Sequence, residues 1–204
     1  KTRGINIDLI EKSLRIMKEK YDPELYGIKA TLGRLPLKNN SIDVGIMRRV
    51  LQYFSKEKQS SILENIYKCL KPGGKLLVLG PGATTEEEVK DVNHFQAEIT
   101  SSITNLDVKE IIKRRRFPFI KDIQEAAERI GFVVREIEMP VEEILSPESW
   151  ASRFRLSKEQ LEKLNRIYEQ GEKKYPHFKF TKIKDKIYGI WKHPLCILEK
   201  PETK

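Results

Sequence analysis

The sequence predicts an α/β protein built on a doubly wound, mostly parallel sheet. Three observations predict it. Short apolar runs at residues 3–7, 26–32, 42–47 and 76–79 alternate with segments whose apolar residues recur at helical spacing. Turn signals (Tyr21-Asp22-Pro23, Lys38-Asn39-Asn40 and Pro72-Gly73-Gly74) separate them. A chain of 204 residues, 39% hydrophobic and 34% charged, suits one globular domain with its own core.

Each element has a local reason. The first strand, residues 3–7, leads into a helix that Asp8 and Glu11 start as a capping box, with Ile10, Leu14 and Met17 on one face. Residues 26–32 form the second strand and 42–47 the third. Ser55 caps a helix carrying Ile62, Leu63, Ile66, Tyr67 and Leu70 inward, and 76–79 is a buried strand. Residues 86–105 read as a polar helix. Residues 120–130 read as an amphipathic helix with Ile123, Ala126, Ala127 and Ile130 inward, ended by Gly131 before a strand at 132–137. Residues 141–170 read as helical with a cap at Ser157, and 187–198 as a closing strand or hairpin interrupted by Pro194. Strands alternating with helices imply right-handed crossovers.

Composition narrows the function classes. No apolar run approaches the length of about 20 residues that spans a bilayer, so no membrane partner is expected. Cys69 and Cys196 are isolated, which argues against a disulfide framework and for a reducing, cytoplasmic setting. His94, His177 and His193 lack metal spacing, so no metal site is predicted. The net charge of +9 permits attraction to RNA or another polyanion, and equally describes a lysine-rich solvated surface. The basic and aromatic runs at 113–117 and 173–180 fit either a phosphate-and-base contact or loops anchored by aromatics.

The run Leu35-Pro36-Leu37-Lys38-Asn39-Asn40-Ser41-Ile42-Asp43-Val44, followed by Leu70-Lys71-Pro72-Gly73-Gly74-Lys75-Leu76-Leu77-Val78, resembles the second half of a small type-11, class I S-adenosylmethionine-dependent methyltransferase. The resemblance covers residues 3–80, and more loosely 120–137 and 187–201. It implies a Rossmann-like sheet, with S-adenosylmethionine as cofactor and methyl transfer to an acceptor, a small molecule ahead of RNA. It divides 1–204 into one domain: a core at 1–140, a helical insertion or lid at 141–184 and a closing strand at 185–204.

By the same resemblance Asn6 stands at the acidic position that takes the ribose hydroxyls, and Thr31 replaces the aspartate beside the adenine. Asn6, Ile7, Thr31, Leu32, Met47 and Arg48 would then line the cofactor. Arg48, Gln52, Tyr53 and His94 are the candidates on the catalytic and substrate side, since ligands lie at the carboxyl ends of such strands, and Arg48 with Arg49 could grip an anionic substrate or form a surface pair. No Gly-rich strand-turn-helix precedes residue 3, although the resemblance puts that strand in the middle of the sheet. Three arrangements are open: the start is cleaved or disordered, a partner chain or second copy supplies the strand, or the sheet closes up differently. The rival reading is a catalytically degenerate methyltransferase-like binding or scaffold module, which the neutral Asn6 and Thr31 support.

Overall fold

The computed structural model describes residues 4–20, 24, 26–80 and 82–202. Strand β1 (Ile5–Asp8) leads through α1 (Glu11–Lys20) to β2 (Tyr26–Lys29), and the two strands pair in parallel from Ile5 opposite Tyr26 to Asp8 opposite Lys29. The Asp8 carboxylate accepts the Ile10 amide at 2.8 Å in an Asx turn ahead of the helix, while Glu11 is the first helical residue and pairs with Lys29 at 3.4 Å, so the expected capping box does not form. The turn expected at 21–23 lies outside the described residues.

β3 (Ile42–Arg48) runs parallel to β4 (Leu70–Leu79), with α2 (Lys56–Cys69) as the crossover. The break at Pro72-Gly73-Gly74 has a steric cause. Gly73 takes φ +74°, and a Cβ on Gly74 would stand 2.8 Å from the Lys71 carbonyl oxygen. Helices α3 (Glu86–Thr104), α4 (Val108–Arg114) and α5 (Ile120–Ile130) follow, then β5 (Val133–Leu145), α6 (Pro147–Phe154), α7 (Lys158–Lys174), β6 (Phe180–Ile183) and β7 (Lys186–Glu199). The α5 helix has the predicted bounds, and Gly131 at φ +107° closes it.

The α/β architecture is the predicted one, but the sheet is mixed. The larger sheet has the order β3-β4-β7-β5, with β6 on β7, and β7 is antiparallel to each of its neighbours. Lys184 and Asp185, at φ +46° and +62°, join β6 to β7. So short a connection can only reverse the chain, which makes this pair antiparallel.

Several boundaries differ from the sequence reading: β2 ends at Lys29, and β4 begins at Leu70 and carries Pro72-Gly73-Gly74 within it. β5 continues to Leu145, so residues 141–145 are strand and not helix. The helices begin only after Ser146, whose capping box with Ser149 and Pro147 at the first helical position starts α6. β7 also runs through Pro194 without breaking. That proline lies where β7 passes the end of β4 and where the β5 register slips between Glu138 and Val141, a place that needs no ladder hydrogen bond.

Two cores result. Leu63, Leu70, Leu76, Ala127 and Leu198 centre the first, between β3, β4, β7, α2 and α5. Phe95, Leu164, Tyr168, Phe178 and Trp191 centre the second, where α3, α6 and α7 wrap the part of β5 and β7 beyond β4. Among the described residues β1 and β3 each have one edge without a neighbouring strand, and Val44 and Ile46 of β3 are exposed.

Candidate ligand cavity

The loop after β3, helix α3 and the overhanging part of β5 and β7 meet at a cavity of about 240 Å³. Its apolar wall includes Phe117, Leu145, Trp150, Phe154 and Trp191, and its polar groups include Arg49, Gln52, Tyr53, Arg115, Glu143, Arg153 and His193. The position follows from topology. In α/β sheets ligand crevices open at the carboxyl ends of parallel strands, and Arg49 directly follows β3. Arg49 adopts a left-handed backbone, φ +54°, while its amide donates to the Leu79 carbonyl at 2.7 Å. This sharp turn off the sheet stores backbone strain of the kind found at functional sites.

At the polar side, the Arg49 Nη2 donates to Glu143 Oε2 at 2.7 Å, and His193 Nε2 lies 3.2 Å from the same oxygen. Arg153 stands 3.8 Å from the other carboxylate oxygen. Burial alone would raise the Glu143 carboxyl, but the Arg49 hydrogen bond and the surrounding positive charges hold it below the usual carboxylate range. Glu143 is therefore ionised and can only accept, so the His193 proton sits on Nε2 and the lone pair on Nδ1. Burial pushes the His193 imidazole below its ordinary value, and the Arg49 charge adds to this against the pull of Glu143. The ring is neutral at pH 7, and among the described residues its Nδ1 has no hydrogen-bond partner. His193 is thus a buried, oriented base on the cavity wall.

Two amides fix the rim. Gln59 Nε2 donates to the carbonyls of Leu51, Phe54 and Arg116 at 3.0, 3.0 and 2.8 Å. Asn93 accepts the Phe117 amide at 2.7 Å, and its Nδ2 donates to the Val89 carbonyl at 2.7 Å. The loop after β3 and the stretch before α5 are thereby held together, with the Arg115 guanidinium 4.6 Å above the Tyr53 ring.

The cavity brings Gln52 and Tyr53 together as site residues. Gln52 is buried and donates to the Arg49 carbonyl at 2.9 Å, so it braces the turn. Arg48 is exposed and does not line the cavity; its neighbour Arg49 does. His94 lies on the exposed side of α3 with its ring Nδ1 against the Lys90 carbonyl, outside the cavity. Met47 is packed in the first core, where only a void of about 10 Å³ adjoins it. Sequence reasoning named Arg49 beside Arg48 but missed Arg115, Glu143, Trp150, Trp191 and His193, and so missed the group they form with it. Arg49 and Glu143 are 94 positions apart, and only the β5–β7 register joins Glu143 to His193's strand.

The cofactor side is smaller. Asn6 and Ile7 are half-buried in β1, and Thr31 and Leu32 lie in the loop after β2, which Asn65 ties to α2 by donating to the Leu32 and Gly33 carbonyls. An amide, a hydroxyl and a loop backbone offer the donors and acceptors that an adenosine requires. Among the described residues no strand pairs with the second edge of β1 or of β3, where an amino-acid end would need backbone amides. The residues present therefore fit the adenosine half of S-adenosylmethionine.

The basic run at 173–180 proves to be an anchored loop. Tyr175 and Phe178 are buried in the second core, and Asp91 accepts the His177 amide at 2.8 Å. Among the described residues no helix is long and apolar enough to cross a membrane, and no group of three or more His, Cys, Asp or Glu could hold a metal. Cys69 and Cys196 are buried and free.

A family model described as a methyltransferase domain matches residues 2–78. Among solved structures the chain is similar to a Bacillus halodurans protein described as a candidate methyltransferase, at 17% identity and a TM-score of 0.78, covering 98% of this chain and 84% of that one. It is also similar to the YcgJ protein of Bacillus subtilis, at 14% identity and a TM-score of 0.75, with 98% and 83% covered. The cyclase SpnF shares the fold at 16% identity and a TM-score of 0.57, with 98% and 68% covered. At these identities the likeness establishes the fold, and chemistry must be read from the site. No curated protein matches the chain in sequence.

Proposed function

We propose, from the class I methyltransferase fold that this chain has, that it transfers a methyl group from S-adenosylmethionine to a small molecule held in the aromatic cavity. The observation that carries this reading is the cavity itself. It is largely apolar, supplied with a few convergent polar groups and placed at the carboxyl end of β3. S-adenosylmethionine supplies an electrophilic methyl group when bound. Asn6, Ile7, Thr31 and Leu32 hold its adenosine end. Neither Met47, which is packed in the core, nor exposed Arg48 is assigned to it.

The chain's own residues set up the acceptor. Trp150, Phe117 and Trp191 exclude water from one side of it. His193 takes the acceptor's proton at Nδ1, and Glu143 stabilises the imidazolium that results, itself held by Arg49. Rate comes mainly from placing the nucleophile and holding it deprotonated.

Calorimetric titration of S-adenosylmethionine into the purified protein tests the cofactor assignment. Micromolar binding that Thr31→Val weakens is the expected result. Absence of binding by a folded chain would favour the binding-module reading, which the neutral Asn6 and Thr31 support.

A further inference from the structure

Arg115 is a half-buried guanidinium on the cavity wall with no carboxylate partner among the described residues. Its neighbours differ: Arg114 pairs with Glu110 at 3.3 Å and Arg116 with Asp122 at 3.2 Å. Arg115 instead stacks over Tyr53, at a place where desolvation works against its charge. A desolvated cation without an anion is costly, and proteins ordinarily pair such groups. The Gln59 and Asn93 clamps hold the next two residues, Arg116 and Phe117, and the Arg115 amide itself donates to the Ile111 carbonyl at 3.0 Å, so its side chain leaves from a fixed point. The charge of the whole cavity points the same way: three arginines, Arg49, Arg115 and Arg153, face the single carboxylate of Glu143.

The remaining wall specifies the body of the ligand. Phe117, Trp150, Phe154 and Trp191 present ring faces and edges, and a planar ring packs against them best. Trp191 is 3% exposed, and its Nε1 is the one buried side-chain polar atom without a hydrogen-bond partner among the described residues. With a volume of about 240 Å³, the cavity has room for a ring system between these walls.

We infer that the cavity binds a planar aromatic carboxylate, with its carboxylate on Arg115 and its ring against Phe117, Trp150 and Trp191. Resting on the methyltransferase reading, this names the acceptor's chemical class. The site requires no cofactor for this binding. A planar fork such as Arg115 takes a carboxylate through two parallel hydrogen bonds, which lysine cannot do.

The probe pair is indole-3-carboxylate and its neutral carboxamide, titrated separately into the protein and followed by calorimetry and tryptophan fluorescence. The carboxylate is expected to bind at least about tenfold more tightly than the carboxamide, the size of one charge-assisted hydrogen-bond pair. Arg115→Gln should erase that preference, while Arg115→Lys should keep part of it; circular dichroism and the melting temperature establish that each variant is folded. Equal binding of both probes, binding of neither, or a preference that survives Arg115→Gln in a folded variant would each overturn the inference. A protein that binds S-adenosylmethionine but shows no carboxylate preference loses this inference alone. One that prefers the carboxylate but never binds S-adenosylmethionine keeps it and loses the methyltransferase reading.

Discussion

The β1–α1–β2 unit and the second core are made of the same chain by opposite rules. In the first, Leu14 is the buried apolar side chain, while Ile5, Leu9, Ile10, Ile16, Met17 and Tyr26 are exposed. In the second, Phe95 lies within 5.7 Å, ring centre to ring centre, of Tyr168, Tyr175, Phe178, Phe180 and Trp191. The family signature covers residues 2–78, which hold the loosely packed β1–α1–β2 unit and part of the first core, whereas the cavity draws most of its wall from residues 96–193. The region that identifies the fold is thus distinct from the region that chooses the ligand. A family can keep its sheet-turn signature while the elements above the sheet ends are rebuilt.

Removing the hub of the packed region gives the largest expected effect. Phe95→Ala should cost about 3–5 kcal/mol, because five aromatic neighbours lose a partner and cannot all collapse into the space. Ile10→Ser, at a side chain 60% exposed, should stay within about 0.5 kcal/mol. Urea denaturation of both variants compares them directly. Equal losses would show that the two regions unfold as one tightly packed body and would break the contrast.

Hydrogen exchange sharpens the same contrast without mutation. Amides of β4 and β7, each flanked by strands on both sides, should exchange only on global opening. Those of β1 and β2, paired only with each other among the described residues, should exchange through local opening at much lower free energy. Uniform protection across all four strands would overturn this ranking. Uniform protection would also mean that the free edges of β1 and β3 are covered in solution.

How much was legible follows from the same division. Local signals carried the fold: the helical face of Ile62 and Leu63, the Gly131 stop of α5 and the glycine pair after Pro72 each act within a few residues. Long-range pairing defeated it. Nothing near Glu143 marks it as a site residue. It becomes one because β5 extends to Leu145 and pairs antiparallel with β7, which sets Glu143 opposite Trp191 and beside His193. The sequence reading named His94 as a candidate and gave His193 no role; burial against Glu143 puts His193 on the cavity wall and leaves His94 outside it. Arg48 and Arg49 were an undivided pair until the left-handed turn at Arg49 sent one into the cavity and left the other exposed.

The His193 imidazole gives a smaller, pH-dependent effect. Its folded value lies below the ordinary 6.5, so the unfolded chain takes the proton first as pH falls. The stability tied to its neutral form is present above about 6.5 and is lost as pH drops through the folded value. Wild type and His193→Gln should therefore differ in urea midpoint by an amount that shrinks as the pH is lowered from 7.5 to 5. A difference that grows over that range would mean that the folded protein favours the imidazolium.

The smallest expected effect isolates the link between Arg49 and His193. The Arg49 charge depresses the imidazole directly, and its hydrogen bond keeps Glu143 ionised. Arg49→Met removes the first influence, while Glu143 stays 3.2 Å from Nε2 and still favours the protonated ring. The imidazole should then titrate at higher pH than in the wild type, which proton resonances of the ring can follow. The pH at which His193 begins to act as a base should rise with it. An unchanged titration would mean that burial alone sets the base, and Arg49 would be left with the carboxylate as its whole role.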